Sequence, residues 1–484
     1  MALYALSFAG WTEPVRISEP GGCLYPQILA QGDTLHVVYE NGSAGSYIGY
    51  VRSMNAGNTW SEPVILCDTN ETELGEFVKI LQFEAKVIAI WRNISNDVRR
   101  FNLGYAISLD HGETWGNPLL IFPHNWDRMG YFSAQASDSV ISIVISKWVS
   151  PDLVFYNLRS TDFGESWSNP SEIFRAYQSD LTDGAAHDSV FHFVWGGRFE
   201  LGPSWEIYYM RSTDWGLTWS ANTLLSEPDD YHSYSAAICA NVSGIVGISW
   251  MDYKYSPYIF SGDILIRSSF DHGESWGPEN QATFNHLALG SDVLQLGDTI
   301  HIAYEDIRLG LTSPSIYYLR SDDNGFTWDE EFRLDPDELE SRNPALAASN
   351  GRVYVIWADD RSYPPADIYP GIYFRRYEEG TSISEEPVNL PQVISLSAYP
   401  NPFNVTTIIS YANLEGSGGI HILNVLGQVV KTFNIQNGKE GQNGQGQVVW
   451  DGTDMGGNPV ASGVYFVKAR GSSGAVTLKL EYMK

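Results

Sequence analysis

The chain has 484 residues, 58 of them acidic and 29 basic, for a formal net charge of −29. A surface of that sign repels nucleic acid and anionic membranes, and no basic stripe offsets it, which argues against nucleic-acid binding. No apolar run is long enough to span a bilayer. Cys23, Cys67 and Cys239 lie far apart without metal-ligand spacing, and an odd count rules out a fully paired disulfide framework; one pair stays open.

Residues 1–10 are apolar and lack a basic n-region, while Ser7, Phe8 and Ala9 match the small-x-Ala end of a secretory signal. The segment reads either as a signal remnant or as the first part of a strand. From there one turn, S-x-[DN]-x-G-x-[TS]-W, recurs six times, ending on Trp60, Trp115, Trp167, Trp219, Trp276 and Trp328. Its chemistry is local. The Ser hydroxyl and the carboxylate of Asp110, Asp162, Asp214, Asp271 or Asp323 can take up nearby backbone N–H groups. The Gly permits a positive φ, and the Trp returns the chain to the core. Asn55 replaces the acid in the first copy and can make the same local bonds.

A period near 50 residues with short strands between turns indicates a β-propeller or a similar array. Each period carries three strand-like runs before its turn, such as 25–30, 35–39 and 47–52, and the Trp opens a fourth. A seventh set of three runs (343–347, 352–357, 371–376) has no turn and no fourth strand of its own. Trp11-Thr-Glu-Pro-Val-Arg-Ile matches the pattern that begins at Trp60, so the N-terminus can supply the missing strand. This predicts an all-β chain with a seven-bladed β-propeller over residues 11–378, closed by an N-terminal strand that leaves no open edge. Six blades is the alternative.

In such a ring the repeated turns share one rim and are structural, and a pocket belongs on the opposite face, where the second strand of each blade ends. The candidate ligand-binding residues there are Glu40, Trp91, Arg92, Trp195, Asp252, Asp306, Arg308, Trp357 and Asp360. Aromatic rings beside carboxylates can stack on sugars and bond their hydroxyls. The competing reading is that the rings pack between blades and the acids cap strand ends. Acidic loops at 68–73 and 335–340 leave Ca²⁺ open as a ligand, without EF-hand spacing. His36, His192 and His301 recur by repeat symmetry and give no zinc site, so no metal or other cofactor is expected.

The repeated turn resembles the Asp-box, or bacterial neuraminidase repeat, over residues 11–377. Sialidases, other glycosidases and non-enzymatic proteins share that motif. Sialidases of this type have six blades, three arginines on the sugar carboxylate, an Asp acid/base and a Tyr nucleophile. Arg342-Asn343-Pro344 partly matches the segment that carries their first arginine. The resemblance therefore implies Arg342 and Arg361 as carboxylate ligands and Asp367 as an acid/base. Against it, the match lies in the last blade, Asn343 replaces an Ile, and no third Arg or Tyr/Glu pair can be assigned.

After a linker at 379–393 the pattern changes. Tyr399-Pro-Asn-Pro-Phe-Asn, Ile422-Leu-Asn-Val-Leu-Gly-Gln, Trp450-Asp-Gly and Ala461-Ser-Gly-Val-Tyr-Phe mark a small immunoglobulin-like β-sandwich over 394–484. The ordered set resembles the type A sorting domain of the bacterial type IX secretion system. That resemblance implies export through the periplasm, with the type IX machinery as a partner and a secreted or outer-membrane-attached product. The function expected is a non-catalytic module binding a glycan or a surface protein. The alternatives are an exo-sialidase or related glycoside hydrolase and a structural surface protein. Oligomeric state is not legible.

Overall fold

The computed structural model describes every residue except 1–9, 43–46, 69–72, 96–99, 122–125, 128, 200–202, 259, 311–312, 336–339, 360–370, 379–394, 413–418, 425–427, 435–445, 472–473 and 484. Two compact units divide the chain, Met1–Thr381 and Ser382–Lys484. The described residues form strands and turns throughout, with no α-helix.

The first unit is a β-propeller. Its described strands build seven antiparallel sheets, numbered here in chain order. The first runs Cys23–Gln31, Thr34–Asn41, Tyr47–Ser53, Val64–Asp68, from the inside outward. The innermost strands of the others are Glu73–Phe83, Met129–Ser137, Gln178–His187, Ser233–Ala240, Ala288–Leu296 and Ser341–Ser349. Each inner strand lies beside the next, and Ser341–Ser349 lies beside Cys23–Gln31, so the sheets form a closed ring. The seventh sheet has the order Val15–Arg16, Gly371–Glu378, Arg352–Asp359, Ser341–Ser349. Its outer strand is the N-terminal one, with Val15 opposite Phe374 and Arg16 opposite Tyr373.

Two devices recur around the ring, one between neighbouring sheets and one within each repeated turn. The first is the turn tryptophan, which in four of the six repeats packs on a third-strand aromatic of the preceding sheet. Trp115 meets Tyr50 at 4.8 Å, Trp276 meets Tyr209 at 4.9 Å, and Trp60 meets Phe374 at 5.1 Å, all edge to face. Trp11 does the same for the seventh sheet, meeting Tyr318 of the sixth at 4.9 Å. Such pairs add about 0.5–1.5 kcal/mol each beyond the area they bury. The second device is the turn itself. In the second sheet Ser108 Oγ accepts the Gly112 N–H at 2.8 Å, while Asp110 Oδ1 accepts the Thr114 N–H at 2.8 Å. The Thr114 hydroxyl donates to Asp110 Oδ2 and holds that carboxyl down at about 2.

The residue before each turn Gly also adopts a left-handed backbone: Ala56, His111, Phe163, Trp215, His272 and Asn324. The motif alone does not announce this, because that position holds five different residue types across the six copies. The reason is a hydrogen bond. The N–H of each donates to the carbonyl of the tight turn joining the first two strands, as in Ala56 to Asp33 at 2.7 Å and Phe163 to Ser139 at 2.8 Å. The two sets of turns are thereby tied together on one rim.

The second unit is an immunoglobulin-like sandwich. A three-stranded sheet has the order Ser395–Tyr399, Thr407–Ala412, Gly446–Trp450; a four-stranded sheet has Val429–Asn434, Gly419–Asn424, Gly463–Gly471, Gly474–Tyr482. Phe403, Ile409, Ile422, Trp450, Val467, Leu480 and Tyr482 form its core. The Trp450 indole N–H donates to the Thr453 carbonyl at 2.9 Å, and Gly452 is needed beside it, since a Cβ there would meet Tyr482.

Candidate functional site: an axial cavity

Each of the seven inner strands breaks register near its start, where two residues fit between consecutive partners on the second strand. Bulges of this kind re-aim side chains and gather beside functional sites. Here Tyr25, Phe77, Ser235 and Asn343 take left-handed φ values between 47° and 54° within them. A non-glycine residue in that region stores strain that the surroundings must hold. The bulges lie at the end of the ring away from the repeated turns. They surround an axial cavity of about 360 Å³, lined by all seven sheets. Small-molecule sites span roughly 300–1,000 Å³.

The lining is two-sided. On the first three sheets Tyr25, Phe77 and Tyr131 form a continuous aromatic arc, with ring centroids 4.9 Å and 5.1 Å apart. Arg92 stacks its guanidinium 4.5 Å from the Phe77 centroid and donates to the Gly130 carbonyl at 3.2 Å. From the remaining sheets come the polar groups Thr182, Asp183, Ser235, Ser291, Asp292, Glu305 and Asn343, interspersed with Leu181, Leu289 and Pro344.

The carboxylates on this polar side are held by backbone. Asp183 Oδ2 accepts the Ile238 N–H at 3.2 Å, and Asp292 Oδ2 accepts the Leu346 N–H at 2.7 Å, each across to the next sheet. Glu305 Oε1 accepts the Asn343 N–H at 2.7 Å. An inner edge strand needs partners for its outward N–H groups, and these acids supply them. Burial pushes the Asp292 carboxyl up to about 7. Burial also raises Glu305 above the usual carboxylate range, opposed by the Asn343 N–H and the Arg342 charge. Lys79 reaches from the second sheet to Asp183 of the fourth, at 2.9 Å. Thr182 is 7% exposed, and its hydroxyl meets no partner among the described residues.

The residues expected on this face separate into groups. Trp91, Trp195 and Trp357 are buried in packing between strands and sheets; Trp195 stacks on Tyr208 at 4.5 Å and donates to Asn222. Asp252 is buried and accepts from Ser233, Trp250 and the Lys254 N–H. Asp306 holds Arg308 through both oxygens, at 2.9 and 2.8 Å, and Arg308 also reaches Glu331 at 2.6 Å. Glu40 is buried at the end of its strand. Arg92 backs the aromatic arc. Arg342 precedes the cavity residue Asn343 and is half-buried. Asp360, Arg361 and Asp367 lie outside the described residues, as do most of the loops at 68–73 and 335–340.

Sequence reasoning missed the inner-strand starts. A signal existed: Tyr25, Phe77 and Tyr131 sit at matching offsets before their second strands. Period-two alternation conceals them, because the bulge interrupts it. His36, His192 and His301 are buried and bonded through Nδ1 to Tyr50, Tyr209 and Tyr318 at 2.6–2.7 Å. Among the described residues no group of three His, Cys, Asp or Glu side chains is placed to hold a metal ion.

Comparison with known proteins agrees with this architecture. Residues 407–475 match the FlgD Ig-like domain family. A search of curated proteins finds no match. Among solved structures the chain resembles the polysaccharide lyase Uly1, with a TM-score of 0.52 and 10% identity over 75% of this chain and 90% of that one. It also resembles an ulvan lyase of the polysaccharide lyase class bound to -[GlcA(1-4)Rha3S]-, with a TM-score of 0.51 and 11% identity over 76% and 94% of the two chains. The phage phi92 endosialidase aligns over 98% of this chain and 88% of its own at 10% identity, with a TM-score of 0.49. At these identities the likeness is one of fold.

Proposed function

We propose that the propeller is a glycan-binding module whose ligand enters the axial cavity. The observation that carries this reading is the two-sided lining. An aromatic arc offers stacking area to the apolar face of a sugar ring, and a facing arc of carboxylates, hydroxyls and amide offers partners to its hydroxyls. The two lyases that share the fold act on polysaccharides, which favours the same ligand class. Asp183, Asp292 and Glu305 each accept backbone N–H groups, an arrangement better suited to fixing a site than to shuttling protons. The reading needs no cofactor. Oligosaccharide binding measured by calorimetry should weaken about tenfold in Phe77→Ala or Tyr131→Ala, the loss of one stacking partner. Unchanged affinity in both variants would refute a ligand in this cavity.

A glycoside hydrolase reading has one observation in its favour: Arg342 stands next to the cavity residue Asn343, with its charge felt by Glu305. Release of a fluorophore from a sialoside, lost in Arg342→Ala, would support it over the binding reading.

The second unit is proposed as an export address. Its support is the ordered residue set around Tyr399, Trp450 and Tyr465 on an independent sandwich core. Removing residues 394–484 should then leave the propeller in the periplasm of a type IX-competent host. Equal surface delivery without them would sink the proposal.

A further inference from the structure

The charge inside the cavity carries the ligand class further, resting on the glycan reading above. One position of the inner strands recurs around the axis. Gln27, Lys79, Ser133, Asp183, Ala237, Asp292 and Ala345 pair with Val38, Ile90, Val144, Val194, Ser249, Ala303 and Ile356 of their second strands. Five of these residues, Gln27, Lys79, Asp183, Ala237 and Asp292, line the cavity, and the Lys79–Asp183 pair bridges the ring from the second sheet to the fourth. Among the described lining residues the charged groups are Lys79, Asp183, Asp292 and Glu305, so acids outnumber the cation. The ammonium is already set on Asp183. Arg92 spends its guanidinium on the Phe77 ring and the Gly130 carbonyl, behind the arc. Thr182 adds a buried hydroxyl that meets no partner among the described residues.

We infer that the cavity selects sugars that carry no acid group: neutral or amine-bearing units enter, and uronate or sialate units are turned away. Hydroxyls and amines donate to carboxylates, whereas a sugar carboxylate would face like charges at low dielectric, and Lys79, the one cation among the described lining residues, is already paired with Asp183. The Thr182 hydroxyl, able to donate or accept, suits a sugar hydroxyl. Burial pushes Asp292 up to about 7, so the barrier to acidic sugars should soften as pH falls below that value.

The test is calorimetry on the full chain in low salt with four probes: a tetramer of N-acetylglucosamine, a tetramer of glucosamine, a glucuronate-containing tetrasaccharide and a sialyl-oligosaccharide. The expected result is binding of one or both of the first two. The acidic probes should bind at least about tenfold more weakly, with a gap that narrows as salt screens the repulsion. The first two probes separate neutral from amine-bearing ligands. Asp292→Asn should improve the acidic probes about fivefold relative to the neutral one, and Thr182→Val should weaken the bound sugar; thermal melting checks that both variants fold. Acidic probes that bind as tightly as the others, with Phe77→Ala still harmful, would overturn the selectivity and keep the cavity as the site. Binding of all probes with no response to Phe77→Ala or Thr182→Val would overturn the cavity reading itself, and so would binding of none.

Discussion

Lys79 and Asp183 meet at 2.9 Å although their sheets are separated by a third, and both side chains are about one-fifth exposed. The pair ties the second sheet to the fourth across the ring axis. Asp183 also accepts the Ile238 N–H of the fifth sheet. Lys79→Met should therefore leave a half-buried carboxylate without its cation and destabilise the propeller by about 1–3 kcal/mol, and the double variant Lys79→Met/Asp183→Asn should recover part of the loss. Chemical denaturation of the four species reads the coupling. Additive losses would show that the two groups do not act together.

Ring closure depends on the first described residues. Trp11 packs on Tyr318 at 4.9 Å, Tyr377 at 5.3 Å and Phe332 at 6.0 Å. Trp11→Ala should cost about 3 kcal/mol, comparable with Trp60→Ala, which empties the equivalent seam between the seventh and first sheets. Thermal melting of the two variants checks this; a neutral Trp11→Ala would mean that the N-terminal strand is dispensable.

Five of the six glycines of the repeated turns have no room for a side chain, Gly216 being the exception. A Cβ on Gly273, at φ +76°, would come within 1.8 Å of the Tyr209 hydroxyl. Gly351 has φ +71° and open space around it. Gly351→Ala should thus cost only the backbone strain, about 1 kcal/mol, whereas Gly273→Ala should cost about 3 kcal/mol or more by displacing Tyr209 from His192. Equal losses would mean that strain, not crowding, decides the position.

Acid should weaken the propeller through its buried histidines. Burial holds His36 and His301 down at about 4 and His192 at about 3. Unfolded histidine titrates near 6.5. As pH falls through 6.5 the unfolded chain takes up protons that the folded chain refuses, so stability is complete above that value and is lost between 6.5 and about 4. The full effect approaches roughly 3 kcal/mol for His36 and His301 and more for His192, whose window runs down to about 3. Asp292, raised to about 7, works in the opposite sense over part of the same window. The comparison with His301→Asn isolates the histidine contribution: the variant should lose stability less steeply between pH 6.5 and 4. An unchanged slope would reject it.

The repeating part of the architecture was readable because the turn needs particular residues: a hydroxyl, a short acid, a glycine and an indole at fixed spacing. Trp11 was readable because Trp11-Thr-Glu-Pro-Val repeats the pattern that begins at Trp60. What stayed hidden was the inner strand. Its bulge breaks the alternation of in and out, so Tyr25, Phe77 and Tyr131 look like irregular positions at strand starts. The prominent Trp–acid pairs at second-strand ends, by contrast, drew attention to Trp91, Trp195 and Trp357. Those rings are large enough to be the filling between strands and sheets, and the structure buries them there. Asp183 and Asp292 carry no local motif, because their partners, the Ile238 and Leu346 N–H groups, belong to other repeats.

The pairing of Val15 and Arg16 with Phe374 and Tyr373 also has a consequence for biosynthesis. Made before the rest of the propeller, this strand cannot find its place until the strand that completes the seventh sheet has been made. For nearly the whole of synthesis the nascent chain therefore carries unpaired edges at both ends of a growing arc, the condition that invites misassembly. The final latch is a late event joining the oldest and youngest parts of the first unit. A cell producing this protein needs a way to shield those edges until the circle shuts.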